Sequence, residues 1–332
     1  MVTDKFVYNP ICKQEGPRDT VCATISTVVD GLVPVLGVTD LDRSLAFYGE
    51  VLGLHPVEPR AVVEPRAAVE PRAAVGSAEL PVSRAKVAPG AAAGGRRVIV
   101  VGQGRRLMLE EIGEPAPASW TNDDLQVGIR HVGFKVDDVD HWAERVRDSG
   151  MRFTMEPRDA FGDVRICFFL DPDGAHLELV QGNVRYNHPA SEALIAAERG
   201  WPAPPQPRFD HVAISVAERE RAVDFYRRAI GAAVVGELYA EGAPRGFRIT
   251  YLQVGGLRAG GAMLEVFSFG VPTLPNSWAP GRSVSGLARV GVSTPDPPGT
   301  LSDLLAAGAI LARGDASASL VLDPDGTPIG LC

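Results

Sequence analysis

The chain has few cysteines, and their spacing excludes two classes of protein. The four cysteines in 332 residues are Cys12, Cys22, Cys167 and Cys332, and they form no C-x-x-C pair. Neither a zinc finger nor a disulfide scaffold is therefore expected. A long chain with scattered thiols is typical of a reduced, cytoplasmic protein.

Long hydrophobic runs and a secretory signal are also lacking. The first twenty residues have no basic segment followed by an apolar core, so they do not resemble a signal peptide. The apolar stretch 21–38 is interrupted by Asp30, Gly31 and Pro34 and is too broken to span a bilayer. We expect no association with a membrane.

Positive charge is in deficit as well. Lysine and arginine number 33 against 41 acidic residues, which gives a formal net charge of −8, and aromatic residues make up 7% of the chain. An acidic surface repels phosphate backbones, so nucleic acid is not an expected partner. With 45% hydrophobic residues, the chain has the composition of a soluble globular protein of about two domains.

An internal repeat organises most of the sequence. Four segments open alike, each as a strand pattern followed by an acidic residue that is suited to cap a helix. The segments are VPVLGVTD from Val33, HVGFKVDD from His131, HVAISVAE from His211 and RVGVSTPD from Arg289.

The four copies are of two alternating types. The first and third carry a Phe-Tyr pair, Phe47–Tyr48 and Phe225–Tyr226, and the second and fourth carry a DPDG turn, at 171–174 and 323–326. The order indicates a duplicated pair of modules. An N-terminal extension is predicted at 1–30 and a proline-rich linker at 183–208. The first predicted domain, 31–182, contains modules 31–114 and 129–182 and a VEPRAA repeat loop at 57–75. The second, 209–332, contains modules 209–270 and 286–332.

Period-two alternation places chemistry on one face of these strands. In the second and third modules the first strand opens with a histidine, His131 or His211, and the last strand carries a glutamate, Glu178 or Glu265. A carboxylate within an apolar strand is costly to bury unless it is paired or binds a metal. Imidazole and carboxylate ligands together suit Zn, Ni, Co, Mn or Fe(II).

These motifs resemble the vicinal oxygen chelate superfamily, which includes glyoxalase I, extradiol dioxygenases and bleomycin-resistance proteins. The similarity rests on the H-V-x-x-x-V openings, the Phe-Tyr helix, DPDG and the L-E-[LV] endings. It implies an α+β fold of four βαβββ modules that pair into two eight-stranded cup-shaped sheets. It also implies a metal held by the first and last strands of two paired modules.

Carried onto this chain, the resemblance marks eight ligand positions, and three of them hold residues that cannot bind a metal: Val33, Arg289 and Gly330. If neighbouring modules pair, neither cup has a full ligand set. If the pairing is crossed, the second and third modules supply a complete set. The first and fourth modules then share a cup in which Glu110 is the only ligand, so that this cup cannot bind a metal. Crossed pairing is favoured, because all three positions without a metal ligand then fall in one cup. The metal ligands are then His131, Glu178, His211 and Glu265.

The sequence is compatible with three functions. The leading hypothesis is a metal-dependent lyase, isomerase or epimerase that acts through an enediolate on a small molecule with adjacent oxygens, with Glu178 or Glu265 as the base. The alternatives are an Fe(II) ring-cleavage dioxygenase and a metal-free binding protein of the antibiotic-resistance kind. The chain is expected to be a monomer or a homodimer.

Overall fold

The computed structural model describes residues 29–57, 95–113, 123–201, 203–240, 242, 245–255, 262–279, 284–312 and 320–332. The predicted extension at 1–30 and the predicted repeat loop at 57–75 lie outside these ranges, except for residues 29, 30 and 57.

Modules one and two each follow the order strand, helix, three strands. In module one, the helix α1 continues into a π-helical turn at Phe47–Val51 that contains the Phe-Tyr pair. The elements are β1 (Gly31–Val38), α1 (Leu41–Ala46), β2 (His55–Pro56), β3 (Arg97–Gly102) and β4 (Arg105–Glu111), then β5 (Gly128–Lys135), α2 (Val139–Asp148), β6 (Phe153–Ala160), β7 (Val164–Leu170) and β8 (His176–Gln181).

Modules three and four repeat that order after a short intervening segment. The intervening segment contributes β9 (His188–Pro189) and α3 (Glu192–Arg199). The module elements are β10 (Arg208–Ser215), α4 (Arg219–Ile230), β11 (Ala233–Tyr239), β12 (Arg248–Gln253) and β13 (Met263–Ser268), then β14 (Gly286–Ser293), α5 (Pro297–Ala306), β15 (Ile310–Leu311), β16 (Leu320–Leu322) and β17 (Pro328–Leu331).

The strands form two sheets, and the module pairing is crossed. Modules one and four share the sheet β15-β16-β17-β14-β1-β4-β3-β2, which we name the outer cup. Modules two and three share the sheet β6-β7-β8-β5-β10-β13-β12-β11-β9, which we name the inner cup. In each cup the first strands of two modules pair antiparallel at the centre, and each runs parallel to the last strand of its own module. The predicted α+β cups are confirmed, with β9 as a ninth strand in the inner cup.

The Phe-Tyr and DPDG motifs join the two cups. The buried Tyr48 hydroxyl of the outer cup donates a 2.8 Å hydrogen bond to Asp171 of the inner cup. Tyr226 and Asp323 repeat this contact at 2.8 Å in the opposite sense. Since both partners of each pair are buried, losing one leaves the other unsatisfied. The motifs that revealed the duplication are thus two halves of one contact.

The described part of 183–208, which leaves out residue 202, contains a helix and a short strand, although its prolines predict a linker. Ser191 caps α3 by accepting a hydrogen bond from the Leu194 amide, and Ile195 of that helix is buried. Strand β9 adds to the edge of the inner cup by pairing with β11. Among the described helices, none is long and apolar enough to cross a membrane.

Candidate metal centre

The four predicted ligands lie on four adjacent strands of the inner cup. His131 is on β5, Glu178 on β8, His211 on β10 and Glu265 on β13, and each is at most 8% exposed. The strand register brings them together, because Gly133 pairs with both Glu178 and His211 while Ala213 pairs with both His131 and Glu265. The alternation of side chains along these strands predicts this convergence.

Three donor atoms form a nearly equilateral triangle. The Nε2 atoms of His131 and His211 lie 3.1 Å apart, and Oε2 of Glu178 lies 3.2 Å and 2.9 Å from them. Glu265 is looser, with carboxylate oxygens 3.9 Å from Nε2 of His131 and 3.7 Å from Nδ1 of His211. One donor atom each from His131, His211 and Glu265 fits within 4.8 Å, and Glu178 is closer still to both imidazoles.

This triangle requires positive charge at its centre, supplied either by a cation or by an extra proton. A neutral imidazole has a single N–H, and Nδ1 of His211 lies 3.2 Å from Oδ2 of Asp210, where it can donate that proton. The Nε2 lone pair of His211 then faces the acceptor Oε2 of Glu178, a contact that requires a cation or an extra proton. Two ligands at right angles around an ion at about 2.1 Å would lie about 3.0 Å apart, which matches the observed edges.

A glycine makes room for one imidazole. A Cβ atom added at Gly133 would lie 2.0 Å from Cε1 and 2.2 Å from Nε2 of His211, far inside van der Waals contact. The ring of His211 therefore packs directly over the backbone of β5. A larger residue at this position is incompatible with His211 in its place.

The ionisation of the cluster reflects burial and excess negative charge. Burial lowers the pKa of His131 to about 4, so this imidazole is neutral at physiological pH. Burial also opposes charge on His211, but the carboxylates of Glu265, Asp210 and Glu178 outweigh it and raise its pKa well above 6.5. Burial, reinforced by the nearby Glu178 carboxylate, raises the pKa of Glu265 to about 7, although His211 opposes the shift. The cluster thus favours a positive charge at its centre.

Sequence alternation missed two residues that β-bulges bring to the site. The pairing of β5 and β10 slips at two places, so that Arg130 and Asp210 each have no opposite partner. Bulges re-aim side chains, and each of these residues immediately precedes a histidine of the cluster. Asp210 contacts His211, and Arg130 lines the cavity beside His131. A charged residue before the strand-opening histidine in both copies was the available signal.

Two cavities lie near the cluster, one walled by the cluster residues themselves and the other by Asp210, which contacts His211. The first, which we name the aromatic cavity, has a volume of about 280 Å³ and includes all four cluster residues in its wall. The rest of its lining is mainly aromatic and aliphatic, with Phe168 and Phe267 near His131. Phe161 and Phe247 lie edge to face at a centroid distance of 5.7 Å. An apolar group fits this space.

The second, which we name the linker-side cavity, has a volume of about 290 Å³ and is lined partly by α3. Arg105, Lys135 and Arg208 contribute positive charge to it. The Trp201 ring lies 4.5 Å from the guanidinium of Arg208 and 5.4 Å from that of Arg105. Burial lowers the pKa of Arg105 to about 10, which still leaves it charged. Asp137, Glu198 and Asp210 also line this cavity, so its wall carries charges of both signs.

In the outer cup, the register position of Glu178 is held by Met108, which pairs with Val35, so the prediction that Glu110 occupies a ligand position is wrong by two residues. Glu110 instead takes part in an ion pair. Nη1 of Arg289 lies 2.6 Å from Oε2 of Glu110, whose other oxygen lies 2.5 Å from Arg97. A Cβ at Gly330 would come within 2.9 Å of the Arg289 side chain, so the glycine leaves space for the guanidinium. In the described part of the outer cup, Glu110 is thus neutralised by arginine and not available as a free ligand.

Comparisons with known proteins agree with this architecture. A lactoylglutathione lyase of Arabidopsis thaliana is 31% identical over 109 residues, a match that spans 32% of this chain and only 31% of that protein. A probable lactoylglutathione lyase of Synechocystis sp. is 27% identical over 150 residues, which cover 44% of this chain and 91% of that protein. The crystal structure of glyoxalase I from Zea mays superposes with a TM-score of 0.57 at 21% identity, covers 91% of both chains, and indicates a shared fold.

Fold and site together define a four-module βαβββ protein with one buried cluster of two histidines and two glutamates. Residues 32–179 match the model of the Glyoxalase/Bleomycin resistance protein/Dioxygenase superfamily. This region is similar to that superfamily, and the described chain as a whole shares the fold of glyoxalase I from Zea mays.

Proposed function

We propose that the protein is a metal-dependent lyase or isomerase that moves a proton at a carbon next to a carbonyl, in a small molecule with two adjacent oxygens. The observation that carries the proposal is the cluster of His131, His211, Glu178 and Glu265, whose closest donor atoms are spaced like the ligands of one ion. The relatives named as lactoylglutathione lyases support the same reaction class. A cytoplasmic location and a monomeric or homodimeric state stay predictions.

The residues present fit a divalent ion. His131, His211 and Glu178 would hold it, because their donor atoms already lie at mutual ligand distances. When bound, such an ion supplies Lewis acidity that polarises a carbonyl oxygen. Asp210 fixes the tautomer of His211 through Nδ1, a role that carboxylates commonly have beside metal-binding histidines.

Glu265 is our assignment for the base. Its carboxylate oxygens are 3.7 Å or more from the imidazole nitrogens. Oε2 of Glu178, in contrast, contacts the Nε2 atoms of both histidines, at 3.2 Å and 2.9 Å. A loosely held carboxylate that lines the cavity can take a proton from substrate carbon at Oε1 or Oε2 and return it to the adjacent carbon.

The two cavities divide the substrate into two parts. The linker-side cavity, whose wall carries both basic and acidic side chains, would bind a polar arm of both charges, such as the zwitterionic end of a peptide thiol adduct. The aromatic cavity would hold the smaller, reacting part beside Glu265. Both parts then meet at the cluster, where the proton is moved.

The test compares two isosteric variants, Glu265→Gln and Glu178→Gln. Metal content is measured by elemental analysis, and turnover by formation of the thioester from the adduct of methylglyoxal and glutathione. Exchange of the proton next to the carbonyl into deuterium oxide provides a second readout. We expect Glu265→Gln to retain metal and lose roughly 10²- to 10⁴-fold in rate, and Glu178→Gln to lose metal.

Full activity of Glu265→Gln would refute its assignment as the base. Absence of metal from protein purified with each candidate ion would refute the enzyme proposal and leave a metal-free binding protein. Oxygen consumption with catechols, without proton exchange, would instead identify a ring-cleavage dioxygenase.

A further inference from the structure

Arg130 is a buried cation in an otherwise mainly apolar cavity. It occupies the bulge of β5 next to His131, is 8% exposed and contributes to the wall of the aromatic cavity. Its guanidinium carbon lies 3.9 Å from the centroid of Phe267, over the ring face. The side chain is therefore held at the cavity wall and not extended into solvent.

The hydrogen-bonding capacity of Arg130 is only partly used. Nη2 donates to Oδ1 of Asp124 at 2.5 Å, while Nε and Nη1 are buried and have no hydrogen-bond partner among the described residues. Guanidinium is charged at every physiological pH and carries five N–H donors. Donors left unsatisfied in a buried site cost free energy.

The cost is recovered if a ligand supplies the missing acceptors. The partner Asp124 is 54% exposed on its side chain, and the carboxylates of Glu265 and Glu178 add charge attraction at a distance, but neither of these two accepts a hydrogen bond from Nε or Nη1. Nothing else in the described cavity wall offers these donors an acceptor. An anionic oxygen that enters the aromatic cavity would meet the guanidinium with the Phe267 ring behind it.

We propose that Arg130 binds a carboxylate of the ligand, and that the aromatic cavity takes a small acid with an aromatic or branched apolar body. The apolar lining accepts the body, and Arg130 selects the charge. This inference deepens the proposed function, since the reaction would occur in the same cavity. It stands on the geometry of Arg130 and requires neither metal nor turnover for its test.

The test uses mandelate and its neutral isostere mandelamide as probes. Binding to chelator-treated protein is measured by calorimetry, so that a metal cannot itself select the acid. We expect the intact protein to prefer mandelate. Arg130→Met should weaken mandelate roughly 10- to 100-fold, because a hydrogen bond to a charged group is lost, and should change mandelamide binding less than threefold. Equal binding of both probes, or an equal loss of both in Arg130→Met, would overturn the proposal.

Two further variants keep the test decisive if Arg130→Met folds poorly. Asp124→Asn releases Arg130 from its counter-charge, so mandelate should bind several-fold more tightly while mandelamide is unchanged. Arg158→Met removes an exposed arginine from the same cavity as a matched control, and we expect less than a threefold effect. Unchanged mandelate affinity in Asp124→Asn, or a larger loss in Arg158→Met than in Arg130→Met, would contradict the assignment.

If Arg130 behaves as expected but the protein binds no metal, the ligand inference stands and the proposed reaction fails. If metal and proton exchange are found but neither probe distinguishes Arg130→Met, the reaction stands and the ligand class is wrong.

Discussion

Replacing Gly133 by alanine should dismantle the metal centre without touching a ligand. The added methyl would lie 2.0 Å from the ring of His211, so the ring must withdraw by about 1.5 Å to reach an ordinary contact of about 3.5 Å. Metal–ligand distances tolerate deviations of only about 0.2 Å. His211 therefore cannot stay in the ligand set.

The magnitude follows from the loss of that ligand. Changes that merely disturb the surroundings of metal ligands cost about 10- to 100-fold in affinity, so the Gly133→Ala variant should lose at least about 100-fold, or about 2.8 kcal/mol. Gly133 lies inside β5 and has ordinary strand backbone, so alanine is tolerated by the backbone itself. The effect should appear in metal binding more than in folding.

The assay is competition against a chromophoric chelator, together with a thermal melt of the metal-free protein. Gly270→Ala is the matched control, because a Cβ there would make ordinary contacts of 3.6 Å, and its metal affinity should equal that of the unmodified chain. Unchanged affinity in Gly133→Ala would show that His211 does not bind the ion, and the proposed centre would be wrong.

Three other outcomes follow from the structure. Tyr48→Phe should lower the free energy of unfolding by about 1–3 kcal/mol in urea denaturation, because the buried acceptor Asp171 loses its donor; no loss would contradict the role of this contact between cups. Burial raises the pKa of Asp171 to about 6, above its value of about 3.9 in the unfolded chain. Its contribution to stability is therefore full below a pH of about 4 and is lost as the pH rises through about 6. Urea denaturation at several pH values in this range should show that the free energy of unfolding depends less on pH in Asp171→Asn than in the unmodified chain. The quadruple variant V33H/M108E/R289H/G330E gives the outer cup two histidines and two glutamates at the register positions of the inner cluster, and elemental analysis should find a second equivalent of metal per chain; one equivalent would show that these four side chains alone do not make a site in the outer cup.

The fold and the clustering of the four proposed ligands were largely predictable, because duplication repeats each signal. A single strand-opening histidine says little, but His131 and His211 occur at matching places of two modules, and Glu178 and Glu265 do the same. The crossed pairing was also predictable, since the positions without ligands, such as Val33, fall in one cup. These inferences need only the alternation of side chains along a strand.

The remainder depended on departures from regular structure. Alternation assigns Arg130 to the face opposite His131, and only the bulge in β5 corrects this. The prolines of 183–208 hid the helix α3, whose stability comes from packing of Ile195 and from its cap at Ser191 and not from a strong sequence pattern. The contact between Tyr48 and Asp171 joins motifs 123 residues apart, and neither motif indicates the other as its partner.

The two bulges also explain how a duplicated site becomes asymmetric. Two modules that pair about a pseudo-twofold axis begin with equivalent surroundings for both histidines, whereas proton transfer on an asymmetric substrate needs a different group on each side. The bulge residue is free to change, because it lies outside the ladder of paired residues. In one module this position holds Asp210, which orients His211, and in the other it holds Arg130, whose Nε and Nη1 lack partners among the described residues. In the proposed centre both histidines bind the ion in the same way. Asp210 orients one of them, and Arg130 on the other side is available to bind the ligand.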